Sequence, residues 1–420
     1  MKTNSFTRLA FLFVVLLSID AFAQQPDLGY FRTNDQDGLN VFETSKESDI
    51  PFNGLAVRVG GDFAIQFQGI SQSNSLVGDT LVTLGNNFNL PTANLNLDVQ
   101  MAKGVRMHLR TYLSSRHHVE SWVKGGYVQM DNLDFISEGF LGGFMDVATL
   151  RFGMDEINYG DTHFRRSDNG RALYNPFVGN FIMDAFSTEP FAELTIQKTG
   201  ILGVVGLSNG RMNQKPTPGD DGVAVYAKLG YDKQVNQDLR VRLTGSLYSS
   251  TDKSTRDYLY NGDRTGSRYY NVLDGINEAS PSAFLPRFNT GFKYQTAFQI
   301  NPFVKFQGLE VFGVFEIANN GDATTGGGYT QIGGEAIYRL GASDQLFLGG
   351  RYNTVSGKKT DAASTIDISR LNVGGGWFMT KNMVTKIEYV TSTYDGAGFT
   401  GSKFEGAEFH GMVIEAAISF

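Results

Sequence analysis

Histidine moves protons most readily near neutral pH, and the chain contains only five histidines. His108 is the one that could join a hydrolytic site, because Asp98 and Ser114 are close to it in the sequence. A hydrolase of this kind needs an acid, a histidine and a nucleophile in hydrogen-bond contact. The spacing fixes no such set, so the sequence predicts no catalytic residue and leaves an enzyme as an alternative hypothesis.

Metal chemistry has little support in the sequence. The run Asp35-x-Asp37-Gly38 resembles the start of a calcium loop. An EF-hand would also need acidic or amide side chains at the positions of Thr33 and Thr44, so the match fails and a polar turn is predicted. The absence of Cys removes thiolate metal sites and disulfides. We therefore predict no metal ion and no cofactor.

Charged residues concentrate in the long segment 154–187. Its arginines could line a constriction opposite carboxylates, and such a mixed-sign site orients polar solutes and admits small ions. The alternative is a solvated surface loop in which the same charges pair with each other. The predicted constriction residues are Arg165, Arg166, Arg171, Asp155, Glu156, Asp161 and Asp168.

A second set of arginines alternates with apolar residues in extended segments. These arginines could form a wall that attracts anions, or they could pair with carboxylates across neighbouring strands. The sequence does not separate the two hypotheses. The set is Arg106, Arg110, Arg151, Arg240, Arg242, Arg351 and Arg370.

The elements that position these charges are β-strands, since the dominant hydrophobic period is two. In the segment 105–114, Val105, Met107 and Leu109 share one parity and alternate with charged or polar residues. Sixteen such segments follow one another, including 93–101 and 290–303. Short turns and long loops alternate between them, and 132–145 is the exception because it is too long for a short turn.

The same pattern predicts an all-β, closed antiparallel barrel of about sixteen strands that spans a membrane. Alternation gives an apolar face for lipid and a polar face for a water-filled lumen. No stretch in the mature chain reaches the length of a membrane helix. The final residue, Phe420, with apolar residues at alternate positions before it, resembles the targeting signal that the barrel-assembly machinery reads.

Composition excludes other classes of protein. The formal net charge is -7, so there is no basic surface for nucleic acid. The 50 glycines disfavour long helices and suit bent strands and tight turns. A chain of this kind is predicted to act as a channel, with a structural or adhesive barrel as a third hypothesis.

The N-terminus predicts export. A basic start, the apolar run Leu9–Leu17 and the motif Ala21-Phe22-Ala23 form a cleavable signal peptide over residues 1–23. Residues 24–53 form a polar N-terminal segment that is expected in the periplasm. Residues 54–420 are predicted to form the barrel, so the expected location is the outer membrane.

A long loop near the middle of the chain combines aromatic residues with arginines. These could stack sugars, but packing of the loop over the barrel mouth is the favoured interpretation. The residues are Tyr258, Tyr260, Tyr269, Tyr270, Arg256, Arg264 and Arg268.

With these features together, the chain resembles a porin of Gram-negative bacteria. The stretch YGDTHFRRSDNGRALYNPFVGNFIMD resembles porins of the Bacteroidota, and more distantly the phosphate-selective porin superfamily. The resemblance implies passive diffusion of small hydrophilic solutes or anions, a third loop folded into the lumen, and often a homotrimer in the lipid bilayer. Nearby carboxylates dilute the third-loop arginines, so phosphate selectivity is not carried over.

Overall fold

The computed structural model describes residues 25–46, 48–78, 80–113, 121–167, 171–211, 216–262, 268–277 and 284–420. Sixteen strands form one closed barrel in which every neighbouring pair is antiparallel and β1 pairs with β16. The prediction of a closed antiparallel barrel of sixteen strands is confirmed. The strands are β1 (Ala56–Ser73), β2 (Asn87–Ala102), β3 (Val105–Leu113), β4 (Ser121–Met130), β5 (Ala148–Glu156), β6 (Thr188–Lys198), β7 (Ile201–Ser208), β8 (Ala224–Gln234), β9 (Leu239–Ser250), β10 (Gln295–Phe306), β11 (Leu309–Asn320), β12 (Gly328–Leu340), β13 (Leu346–Lys358), β14 (Ile366–Thr380), β15 (Met383–Asp395) and β16 (Glu408–Ser419).

In the described residues, helical structure is limited to short turns. One α-helix, α1, covers Gly142–Met145, and 3-10 helices cover Gln36–Gly38, Thr162–Phe164 and Ala397–Phe399. The first of these is the polar turn expected at Asp35-x-Asp37-Gly38. Within the described ranges, no helix is long and apolar enough to cross a bilayer.

The strands sort their side chains as the period of two requires. On β9, Leu243 and Leu247 point outward and are 55% and 46% exposed, whereas Thr244 and Ser246 point inward and are 1% exposed. The other strands repeat this arrangement. The outer surface is therefore an apolar belt, and the inner surface carries the charges.

Closure of the barrel depends on the last residue. The backbone N–H of Gly61 donates to the carbonyl of Phe420 at 3.0 Å, and the N–H of Phe420 donates back at 3.1 Å. A Cβ at Gly61 would lie 2.8 Å from the ring of Phe420, so this position needs glycine.

Two strand starts differ from the sequence prediction by five residues or more. β2 begins at Asn87 rather than 93, because a bulge opposite Ala64–Gln66 accommodates Pro91 and lets the pairing with β1 continue beyond it. β10 begins at Gln295 rather than 290, because the residues before it belong to a loop that turns into the barrel. The bulge also switches the outward parity of β2 from Phe88 and Leu90 to Leu95, which interrupts the period of two.

Candidate functional site

The third loop, residues 157–187, connects β5 and β6 and lies inside the barrel. Its described residues are almost fully buried, with Asp161, Val178 and Met183 at 0% exposed. Side chains from every strand between β8 and β15 contact the loop. The third loop therefore packs against one side of the lumen.

Asp161 is the first anchor of the third loop. Its carboxylate accepts hydrogen bonds from Arg242 at 2.8 and 2.9 Å, from Lys228 at 2.9 Å and from Thr244 at 2.8 Å. Burial by itself would raise the pKa of Asp161, but Arg242 and Lys228 outweigh it and hold the pKa well below its usual range. The carboxylate is therefore ionised and tied to β8 and β9.

A second anchor holds the backbone of the loop. The ammonium of Lys386 donates to the carbonyls of Ala172 and Phe177 at 2.8 and 3.1 Å. The carboxylate of Glu388 accepts from the N–H groups of Val178 and Gly179 at 2.8 and 3.1 Å. Buried backbone groups need such partners, and here the barrel wall supplies them in place of secondary structure.

The wall of β12 and β13 continues this arrangement. The amide oxygens of Asn353 and Gln331 accept from the N–H groups of Ile182 and Met183 at 2.6 and 2.9 Å. Arg351 donates to the carbonyl of Gly179 at 2.7 Å. The wall thus fixes the loop through its main chain.

Most of the predicted constriction residues are used in this packing. Arg165 pairs with Glu335 at 2.8 Å, and Arg166 pairs with Asp184 at 2.7 Å and also with Glu156. Both arginines are 3% exposed. Arg171 is the more accessible arginine of the loop, with 21% of its side chain exposed, and it contacts Glu156 at 3.1 Å. Asp155 lies 3.9 Å from Arg110, and Asp168 lies outside the described residues.

The seven predicted wall arginines all lie on the lumen face, but in three different settings. Arg242, Arg351 and Arg370 contact the third loop. Arg240 binds Asp232 and the carbonyl of Asn40. The remaining three are on β3 and β5, away from the packed side: Arg106, Arg110 and Arg151. Their part in solute passage stays a prediction.

Two cavities lie along the strands that the third loop leaves free. The β1–β3 cavity has a volume of 280 Å³ and is lined by Arg58, Asp98, His108 and Arg110, among others. The β3–β6 cavity has a volume of 110 Å³ and is lined by residues that include Arg106, Arg151 and Glu193. Arg32, Tyr127 and Arg171 line both cavities.

The cavities carry both signs of charge. Arg58 lies 2.7 Å from Asp98, Arg106 lies 3.3 Å from Asp131, and Arg151 lies 3.5 Å from Glu193. These wall arginines are therefore paired across strands. Arg32 differs, because its guanidinium donates hydrogen bonds to the carbonyls of Gly38 and Phe164 at 2.8 and 3.2 Å.

The N-terminal segment makes contacts inside the barrel that the sequence did not indicate. Its backbone reaches the turn between β14 and β15, where the N–H of Gln36 donates to the carbonyl of Lys381 at 2.8 Å. Asn40 donates to Glu310 at 2.7 Å, and Glu43 pairs with Arg242 at 2.8 Å. The polar composition of this segment resembled that of a solvated tail. Inside the barrel, its polar groups instead bind charged groups of the wall.

The fifth loop, residues 251–294, also packs into the lumen. Tyr260 and Tyr269 are 0% exposed and donate to Glu316 and Glu388 at 2.6 and 2.7 Å. Arg268 contacts Thr92 and Glu415 at 2.6 and 3.4 Å. Arg256 is exposed and Arg264 lies outside the described residues. The buried tyrosines cannot serve as stacking platforms for sugars in this arrangement.

Hydrolytic chemistry has one supporting contact. Nδ1 of His108 lies 2.6 Å from Asp98, which also accepts from Arg58. Ser114, the third residue considered with them, lies outside the described residues. The sequence Gly206–Gly210 matches G-x-S-x-G, but Ser208 ends β7 and donates to Glu189 at 2.5 Å. A nucleophile elbow would require a helix after the serine, and the described residues between β7 and β8 contain none. No cluster of three metal-ligating side chains occurs in the described parts of the chain.

Comparison with known proteins supports the architecture. No protein-family model and no curated protein sequence matches the chain. Among solved structures, in-vitro folded OmpT, an outer membrane protein of Vibrio cholerae, is 9% identical, with 88% of this chain and 99% of that chain covered and a TM-score of 0.52.

Two further structures give the same result. The outer membrane channel DcaP of Acinetobacter baumannii is 12% identical, with 87% and 98% of the two chains covered and a TM-score of 0.51. An anion-selective porin from Comamonas acidovorans is 11% identical, with 87% and 100% covered and a TM-score of 0.52. The chain therefore has a sixteen-stranded barrel fold similar to those of Gram-negative outer-membrane porins.

Proposed function

We propose that the protein is an outer-membrane channel through which small hydrophilic solutes or ions diffuse passively. The observation that carries this proposal is the pairing of an apolar outer belt with a charged lumen that holds two cavities. The hydrocarbon core of a bilayer cannot hydrogen-bond backbone N–H and C=O groups, so only helices and closed barrels cross it. A closed barrel with an apolar outside meets that condition. A barrel of sixteen strands is also wide enough to leave an aqueous interior.

The proposed route follows the β1–β6 side of the lumen. The third loop occupies the β8–β15 side, so it limits the pore by filling half of it. Arg32, Tyr127 and Arg171 line both cavities and form what we call the neck. In this proposal the neck filters solutes, and Arg165 and Arg166 act as the supports that hold the third loop in place.

We further propose that the neck favours anions. Arg171 has Glu156 beside it, and Arg166 shares that carboxylate. Arg32 has carbonyl partners, so its charge is not cancelled by the hydrogen bonds that hold it. Burial lowers the pKa of Arg32 to about 9, which leaves it protonated at neutral pH. The paired charges elsewhere in the cavities keep the expected preference modest.

Single-channel conductance in planar bilayers tests the proposal. Purified protein should give discrete current steps, and reversal potentials in a salt gradient should indicate anion preference. Arg32→Ala and Arg171→Ala should raise the conductance and reduce that preference. Arg256→Ala, an exposed arginine of the fifth loop, is the matched control and should change neither. Folded protein without current steps would contradict the channel.

The remaining parts of the proposal concern export and assembly. A cleaved signal peptide over residues 1–23, reading of Phe420 by the barrel-assembly machinery and a homotrimer are proposed on the resemblance to porins, as is an origin in the Bacteroidota. The backbone of Phe420 pairs with Gly61. Its side chain is 60% exposed and therefore accessible for recognition. Phe420→Ser should reduce the amount of heat-modifiable barrel in outer-membrane fractions.

A hydrolase is the second candidate, and the contact between His108 and Asp98 is the observation that favours it. Ester or phospholipid hydrolysis by the purified barrel that is lost in His108→Ala would support this candidate. Current steps from the purified barrel, with no hydrolysis by the unchanged protein, would support the channel.

A further inference from the structure

One apolar surface of the molecule has no role in the channel. It belongs to the rim segment, residues 132–145, which connects β4 and β5 at the barrel end that carries the short turns. Its large apolar side chains are exposed by 42% to 57%, and they are Phe135, Ile136, Phe140, Leu141 and Phe144. Apolar side chains grouped in this way mark an interaction surface.

The rim segment is folded by its own backbone. The N–H groups of Ile136 and Phe140 donate to carbonyls three residues earlier at 3.0 and 2.9 Å, and α1 follows at Gly142–Met145. Asp134 pairs with Lys103 of the neighbouring turn at 2.9 Å. The exposed side chains are therefore presented by an ordered structure rather than by a loose turn.

The inner side of the rim segment packs on the outside of the barrel. Leu133 and Met145 are 8% and 2% exposed and cluster with Ala148, Met130 and Leu194. Gln129, Thr149, Arg151 and Glu193 line the lumen cavity, so the residues of opposite parity, on which the rim segment packs, face outward. One side of the segment thus lies against the outer wall of β4–β6, while Glu138 and Phe140 also line a cavity shared with Tyr30 and Lys46 of the N-terminal segment.

The exposed side chains continue the apolar belt of the barrel. On the adjacent strands Phe152, Ile196 and Ile201 are 45%, 40% and 62% exposed. Asp134, Glu138 and Asp146 are acidic groups of the same connection and can remain in water at the rim. The surface therefore combines an apolar side, continuous with the belt, and a polar edge, which is the composition of an interfacial anchor.

We propose that the rim segment inserts its aromatic and aliphatic side chains into the headgroup and acyl-chain boundary of the leaflet on the short-turn side. Its occupant is lipid. The inference rests on the membrane location in the proposed function, but not on conduction or solute selectivity. Its consequence is an anchor that fixes the depth and tilt of the β4–β6 side of the barrel.

Tryptophan fluorescence tests this insertion. The chain has two tryptophans, Trp122 and Trp377, so the background variant is Trp122→Phe with Trp377→Phe. Phe140→Trp is added to that background, and Phe144→Trp is a second probe if the first does not fold. The barrels are reconstituted in phosphatidylcholine vesicles that carry bromine either near the carbonyl end or deep in the acyl chains.

We expect blue-shifted emission that shallow bromine quenches more strongly than deep bromine. Ser343→Trp, in the exposed turn between β12 and β13, is the aqueous control and should stay unquenched. Red-shifted, unquenched emission from both rim probes would overturn the proposal, as would blue-shifted but unquenched emission, which indicates cover by a protein or a second copy.

A separate sample keeps this result apart from the proposed function. In Trp122→Phe alone, Trp377 reports on the belt, where it is 52% exposed. Quenching of Trp377 without quenching of the rim probes would contradict the anchor and leave the membrane location of the barrel supported. Unquenched Trp377 contradicts the membrane location itself.

Discussion

The two halves of the lumen contrast sharply. On the β8–β15 side, the wall side chains bind the main chain of the third loop, and residues such as Gln331 and Asn372 are 0% exposed. On the β1–β6 side, the wall side chains line two cavities of 280 and 110 Å³. The same alternating strand pattern therefore produces a packed half and an open half within one barrel.

The difference comes from what the wall charges contact. On the packed side the third loop neutralises some of them, as Asp161 neutralises Lys228 and Arg242, while others pair within the wall, as Arg351 does with Glu335. On the open side they are neutralised by neighbouring strands, as Arg58 is by Asp98. The packed side therefore differs in the wall groups that bind the third loop, which fills the space in front of them.

The largest expected effect follows from Asp161→Asn on the packed side. The amide removes the negative charge and leaves Lys228 and Arg242 buried without it, and breaking a buried ion pair costs about 3–5 kcal/mol. We expect a matching loss in the free energy of unfolding, measured by urea titration in detergent, and larger current steps as the third loop is released.

Asp361→Asn is the control for this variant. Asp361 pairs with Lys358 on an outer loop and its side chain is 71% exposed, so the loss should be about 0–1 kcal/mol. Equal losses in the two variants would show that Asp161 does not anchor the loop.

Glu388→Gln should have the next largest effect. Its carboxylate accepts from Val178, Gly179 and Tyr269. Hydrogen bonds to a charged group contribute about 1.5–3 kcal/mol, and a neutral amide keeps part of this. We expect the free energy of unfolding to decrease within that range, measured by the same titration. An unchanged unfolding midpoint would show that Glu388 does not anchor the loop.

Acid should weaken the packed half through His163. Burial, reinforced by Lys228, Arg166 and Arg171, holds the pKa of His163 well below its usual value, so it is neutral in the folded protein. The unfolded chain binds a proton as the pH falls through about 6.5, and the folded protein does not. Stability present above that pH is therefore lost below it, by up to about 1.4 kcal/mol per pH unit.

The variant His163→Gln isolates this contribution. Its free energy of unfolding should change less than that of the unchanged chain between pH 7 and 5, measured at both pH values in the same detergent. Parallel curves for the two proteins would assign the pH dependence to other groups.

The smallest effect is expected on the open side, from Gln197→Glu in the β3–β6 cavity. A unit charge about 5 Å from a passing ion in water contributes about 0.8 kcal/mol, or about a four-fold change in the permeability ratio. Reversal potentials should move towards cations while the unfolding midpoint is kept. Ser343→Asp, in the exposed turn between β12 and β13, is the control and should leave the permeability ratio unchanged.

The hydrophobic pattern of the sequence predicted the strands of the barrel wall better than the segments that pack inside the lumen. Alternation identified the strands and the parity of Arg106 and Arg351, because lipid and water impose opposite preferences on the two faces. It missed the start of β2 at Asn87, where Pro91 interrupts the pattern. It also could not show that Arg165 pairs with Glu335, since the two residues are far apart in the sequence and meet only after the loop enters the barrel.

The N-terminal segment shows the same limit. Arg32 looked like part of a polar tail, because nothing in its neighbours marks a position inside the lumen. Its contacts with Phe164 and the ring of Tyr174 depend on the third loop, with the guanidinium 3.7 Å from the ring centroid. Contacts between two irregular segments leave no periodic signal in either of them.

Cysteine accessibility measures the contrast between the two halves most directly. The chain has no Cys, so a single introduced thiol is the only target for a charged methanethiosulfonate reagent. Thr195→Cys places the thiol in the β3–β6 cavity, and Ser246→Cys places it on the lumen face of β9, where the native side chain is 1% exposed. We predict that the reagent blocks current through Thr195→Cys and leaves Ser246→Cys unaffected. Equal block of both variants, or block of Ser246→Cys alone, would contradict passage along the β1–β6 side.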